Sequence, residues 1–138
     1  MPKPRATVDE ELPLYLHWIQ FLDWLLGRTE KFPRRVRLSI SNRLEAISID
    51  ILEDIVEARY TRDRIAILRR ANLRLEKLRV LLRLCHSRRF LPDQGYEYGS
   101  RMLLEAGRMV GGWIRSGARS QSAAAETGDG ASGPGGRI

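Results

Sequence analysis

The stretch Thr61–Arg89, TRDRIAILRRANLRLEKLRVLLRLCHSRR, constrains the fold more than any other part of the chain. Ile65, Leu68, Leu75, Leu78, Leu82 and Cys85 recur at helical intervals, which lines them up along one side of a 3.6-residue helix. No Gly or Pro interrupts the run, and a helix over 62–89 is predicted. Arg62, Arg64, Arg69, Arg70, Arg74, Lys77, Arg79, Arg83, Arg88 and Arg89 crowd the other faces against only Asp63 and Glu76. One side must pack, and the rest presents fixed positive charge.

Three more helices fit around it. Residues 1–11 read as a flexible lead-in, because Pro13 is tolerated in a first helical turn and not deeper, which starts the first helix near 12. Its sequence to Thr29 is apolar on more than one side, with Trp18, Leu22 and Leu25 on one stripe and Phe21 and Trp24 beside it. Phe32-Pro33 punctuates the chain. A second helix over 34–60 places Ile40, Leu44, Ile47, Ile51, Ile55 and Ala58 inward, with Glu45, Asp50, Glu53, Asp54 and Glu57 as a solvated acidic face. Thr61 is the expected N-cap of the third helix. The fourth, over 93–116, follows Pro92-Asp93 and packs through Gly99, Leu103, Ala106, Val110 and Trp113. From 117 to 138 the Gly, Ser and Ala content predicts a disordered tail. The fold class is therefore all-α, an up-down-up-down antiparallel four-helix bundle in one domain over 12–116.

Composition narrows the function classes. Arginine supplies nearly all of the net charge of +7, and its planar fork suits bidentate phosphate contacts. One cysteine excludes an internal disulfide or a thiolate zinc cluster, and Cys85 reads as a small buried hydrophobe. No apolar run is long enough to span a bilayer, and no signal peptide is legible, so a cytoplasmic protein without membrane contact is expected. His17 and His86 each lack a Glu three residues earlier, so the Glu-x-x-His pairs of a di-iron bundle are missing. Gly128 to Gly133 spells GxGxxG, but with no strand before it the phosphate-cradling geometry cannot form. The chain reads as non-enzymatic, with no cofactor, no metal ligands and no catalytic residues.

The arginines are the remaining signal. Arg34, Arg35, Arg37, Arg62, Arg64, Arg69, Arg70, Arg74, Lys77, Arg79, Arg83, Arg101 and Arg108 are the candidate contacts to nucleic acid or an acidic protein partner, reading backbone and shape rather than sequence. The second half of the third helix is apolar beyond what one bundle core needs. Leu78, Val80, Leu81 and Leu84 are accordingly the candidate interface of a homo-oligomer.

Several ordered motifs add a family resemblance over residues 12–117. Trp24-Leu25-Leu26, Thr29-x-Lys31-Phe32-Pro33, Arg43-Leu44-Glu45, Glu57-Ala58-Arg59-Tyr60, Asn72-Leu73-Arg74-Leu75-Glu76-Lys77-Leu78-Arg79 and Gly107-Arg108-Met109-Val110-Gly111-Gly112-Trp113 closely resemble the accessory variability determinant proteins of diversity-generating retroelements. The resemblance implies a four-helix bundle assembling into a basic homopentameric barrel. It also implies partnership with the retroelement's reverse transcriptase and with template RNA or cDNA, in support of mutagenic retrohoming. A bundle related to those encoded in ribosomal RNA intervening sequences, with a structural role and incidental RNA contact, is the alternative.

Overall fold

The computed structural model describes the backbone of residues 5–136 and the side chains of residues 12–119. Regular structure among them is entirely helical: α1 Arg5–Thr29, a 3-10 turn Arg34–Val36, a π-helical turn Arg37–Ser41, α2 Asn42–Arg59, α3 Ile65–Ser87 and α4 Asp93–Gly136. α1 packs on α2 and α4, and α3 packs on the same two helices, so α1 and α3 occupy opposite corners of an antiparallel four-helix bundle.

The predicted inward stripes make the core. Trp18, Leu25, Leu44, Ile51, Leu75, Leu78, Leu82, Leu103 and Val110 are fully buried, and the Trp18 and Phe21 rings stack at 4.6 Å between centroids. Gly99 permits the closest approach. A Cβ there would stand 2.9 Å from the Trp24 ring and 3.1 Å from Leu82, so one missing methyl lets α1, α3 and α4 meet.

Element boundaries depart from the sequence reading in four places. α1 starts at Arg5, within the predicted lead-in, and Pro13 lies inside it on an exposed side, where the carbonyl left without a donor one turn back can be hydrated. The second helix is composite. The Asn42 amide reaches Arg37 O, five residues back, and the wide turn adds a residue that leaves Leu38 88% exposed. Thr61 does not cap α3; its hydroxyl donates to Glu57 O at 2.7 Å and closes α2 instead. α3 starts only at Ile65, after Arg64, which is buried against Trp113 with its guanidinium 5.7 Å from the ring centroid. α4 passes the predicted boundary at 116 and continues to Gly136. Gly117 rests near Ile65 of α3, and the alanines that follow are strong helix formers, which carries the helix through the expected break. The glycines from Gly128 onward offer no local reason for helix. Residues 137–138 of the predicted tail lie outside the described residues.

Just past the end of α3, Arg89 stands in the left-handed region, φ 64°. The Phe90 amide then donates to Cys85 O at 2.8 Å, the closure that a helix C-terminus makes when one residue reverses the chain.

Candidate nucleic-acid and partner interface

The bundle divides the arginines into those with carboxylate partners and those without. Along the α2/α3 seam Asp54, read from sequence as part of a solvated face, is buried, its side chain 3% exposed. Its position on α2 points it beneath two arginines of α3. Arg70 donates to Asp54 Oδ1 from Nε at 3.1 Å and from Nη2 at 2.7 Å, and to Glu57 at 2.9 Å. Arg74 Nη1 donates to both Asp54 oxygens, at 2.8 and 2.6 Å. The hydrogen bond to Asp54, and then its charge, push the Arg70 guanidinium above its usual pKa. These two side chains are corrected from candidate phosphate contacts to structural ones: they neutralise a buried carboxylate.

Other candidates are also engaged. Arg64 sits under the core against Trp113, so it is corrected from a candidate phosphate contact to a packing residue. Arg79 pairs with Glu76 and reaches Leu103 O at 3.4 Å, lying over Gly107 of α4. Arg108 meets Glu105 at 3.5 Å, Arg101 covers the Tyr98 ring and Arg35 the Phe90 ring.

Arg34, Arg37, Arg62, Arg69, Lys77 and Arg83 are exposed, and no carboxylate among the described residues pairs with them. Two of these groups gain a neighbour that the sequence did not reveal. Phe32 and Phe90 pack at 5.7 Å between centroids, which brings the start of the second helical run beside the end of α3. Arg34, Arg35 and Arg37 thereby share one end of the bundle with Arg88 and Arg89, two residues that sequence reasoning did not place among the candidate contacts. Their signal was the Phe90 that follows them.

The predicted oligomer interface also divides. Leu78 is fully buried between Leu75 and Leu82 on the core stripe, and half-buried Leu81 packs against the core. Leu78 is corrected to a core residue because it stands on the inward side of the helix. Val80 and Leu84 are exposed, as is Leu73, seven residues before Val80, which the sequence reading left out.

Two concavities lie among the described residues. A groove of about 440 Å³ between α1 and α4 is lined by His17, Tyr98, Arg101, Met102, Glu105 and Arg108, with Leu104 at its edge. His17 is tied to Met102 O at 2.8 Å. His86 is held by Asp93 at 2.8 Å and stacks on Tyr96 at 4.3 Å between centroids. A smaller pocket of about 210 Å³ lies between the end of α1 and the π-helical turn, with the Ser41 hydroxyl buried and unbonded in its wall. Burial pushes the Cys85 thiol up to about 11, which keeps it protonated and unreactive. Among the described residues no group of three or more His, Cys, Asp or Glu could hold a metal ion, and no helix is long and apolar enough to cross a membrane.

No curated protein matches the chain. Residues 16–117, which span all four helices, match the family model described as bAvd-like. The arrangement of α1 to α4 and the match over most of the chain agree with the motifs in the sequence: the protein belongs to the bAvd-like family, the accessory variability determinant type.

Proposed function

We propose that this protein is a non-catalytic accessory factor of a diversity-generating retroelement, acting in the cytoplasm as a homo-oligomer. It binds the element's reverse transcriptase and its template RNA or cDNA, while polymerase chemistry resides in the partner. The observation that carries the reading is the cationic surface left after internal pairing. Arg34, Arg37, Arg88 and Arg89 at one end of the bundle, and Arg69 and Arg83 on α3, are exposed with no carboxylate partner among the described residues. Phosphate binding needs positive charge that is not already neutralised, and counterion release makes each contact salt-dependent. Exposed apolar Leu73, Val80 and Leu84 support self-association, and the family membership supports the retroelement context. In the resembled family the oligomer is a pentamer.

Fluorescence anisotropy with a labelled template RNA tests the assignment. Replacing Arg34, Arg37, Arg88 and Arg89 by Gln should make the slope of log K against log salt shallower by about 0.7 for each single-strand phosphate that is no longer neutralised. Affinity and slope unchanged at about 0.1 M salt would remove nucleic acid from this end of the bundle. Co-purification of the reverse transcriptase with the wild-type protein, with and without RNA, tests the partnership separately.

A further inference from the structure

The π-helical turn Arg37–Ser41 holds a polar group that the fold does not use. Ser41 is 5% exposed, and its hydroxyl is buried without a hydrogen-bond partner. Ser48, in the regular part of α2, shows the ordinary alternative: its hydroxyl donates to Leu44 O, four residues back, at 2.8 Å. Buried hydroxyls without partners are rare, and π-helical turns within longer helical runs are frequent at functional sites. The same turn holds out Leu38, an apolar side chain with no place in the core.

The Ser41 hydroxyl stands in the wall of the pocket between the end of α1 and this turn. Since it gives up no bond inside, it can turn toward a donor in the pocket. The other polar groups there are mostly acceptors. Glu45 receives the Thr29 hydroxyl on Oε2 at 2.6 Å, which leaves Oε1 open, and Glu30 is exposed with no cation paired to it among the described residues. Exposed Asn42 adds a carboxamide. Arg37 also lines the pocket and pairs with neither carboxylate. Two carboxylates against one guanidinium make this concavity negative in a chain whose net charge is +7.

We propose that this pocket receives the ammonium group of one lysine side chain from a partner polypeptide. An ammonium is a compact charge with three donors, and Glu30, Glu45 and the Ser41 hydroxyl supply three acceptors for it. A guanidinium binds best as a fork across both oxygens of a carboxylate, and at Glu45 the Thr29 hydroxyl already holds one of them. A polyamine or a run of basic residues would be repelled by Lys31, Arg34 and Arg35, which lie between Glu30 and the turn, so the occupant brings a single positive charge. Exposed Leu38 offers apolar surface to the methylene stem of the lysine, and Arg37 favours an acidic residue beside it. A free amine would leave both unused, which selects a polypeptide. Lysine capture here is independent of nucleic-acid binding, and the variants that test it leave Arg34, Arg37, Arg88 and Arg89 in place.

The test is a titration of isotope-labelled protein with the peptide acetyl-Ala-Lys-Glu-Ala-amide, followed by amide chemical shifts, beside the same peptide with norleucine or arginine in place of lysine. The lysine peptide should shift amides within 29–45 saturably and bind about tenfold more tightly than either substitute. Ser41→Ala should weaken it about tenfold, the loss of one hydrogen bond to a charged group, and Glu45→Gln should weaken it further. Both variants should keep wild-type helicity by circular dichroism, since the Ser41 hydroxyl has no bond to lose and a glutamine can still accept from Thr29. Equal binding of the norleucine peptide overturns recognition of the charge, and equal binding of the arginine peptide overturns the choice of ammonium. Shifts confined to other amides, or an affinity unchanged in either variant, overturns the pocket.

Discussion

The Asp54 cluster gives the sharpest stability prediction. Its carboxylate is 3% exposed and is held by Arg70 and Arg74, which are 45% and 27% exposed. Replacing both arginines by Met strands a buried carboxylate, since the remaining Asp50 and Glu57 are acids. Breaking a buried pair in this way costs about 3–5 kcal/mol, against a typical total of about 5–15 kcal/mol. Arg74→Met alone leaves Arg70 on Oδ1 and should cost about 1–2 kcal/mol, the low end for a charge-assisted bond with one solvated partner. In urea titrations with a slope near 2 kcal/mol per molar, the double variant should lose about 2 M in midpoint. Adding Asp54→Leu to the double variant removes the stranded charge and should recover most of the loss, because apolar packing in place of a buried ion pair is often neutral or stabilising. A double variant within about 1 kcal/mol of wild type, or a triple variant no better than the double, would refute the reasoning.

Gly99→Ala should destabilise by about 1–2 kcal/mol in the same titration, because overpacking against the rigid Trp24 ring outweighs the gain in helix propensity. Gly27→Ala, with nothing within 4 Å of the added carbon, should stabilise by about 0.5–1 kcal/mol. Arg89→Gly should raise stability by about 1 kcal/mol by relieving the left-handed backbone at the end of α3, read as a higher thermal midpoint. Burial raises the Cys85 thiol in the folded state to about 11, from an ordinary 9.0. Its contribution is therefore fully present below pH 9 and lost as pH rises toward 11. Thiol-reactive dye should label the native protein at about pH 8 far more slowly than the urea-unfolded chain.

Helical periodicity reveals the inward stripes without ambiguity, because burial on one side of a helix repeats at the period of the backbone. Trp18, Leu44, Leu75 and Val110 are where the spacing puts them. The same period cannot tell a core leucine from an interface leucine on a helix with apolar residues on two sides. Leu78 and Val80 differ by two residues and so face different ways, and the outward seam of Leu73, Val80 and Leu84 is recognisable only once the core is known. Arg70 and Arg74 misled for a related reason. In sequence they are two more cations in a basic run, and their partner Asp54 lies 16 and 20 positions away on a helix whose acids all look alike. Whether a charge is free is a tertiary property.

That property decides what the net charge of +7 means for this chain. A uniformly basic surface would attract polyanions everywhere and would repel other copies of the same protein. Here the acids of α2 neutralise the near side of α3, so the α2/α3 seam is internally paired and offers little to phosphate. The excess is carried by the outer side of α3 and by the end of the bundle where Phe32 packs on Phe90, which Arg34 and Arg37 share with Arg88 and Arg89. An apolar line on α3 beside unpaired Arg69 and Arg83 can pack against a neighbour while the arginines at its margin stay in water. Arg83 lies about one helical turn before Ser87, where α3 reaches the end of the bundle that collects the other cations. Repulsion among them is screened within about 8 Å at physiological salt, and a bound polyanion removes it. Under the proposed function, self-association and nucleic-acid binding are coupled with a definite sign: added RNA should strengthen the oligomer, and high salt should weaken RNA binding before it separates the apolar contact.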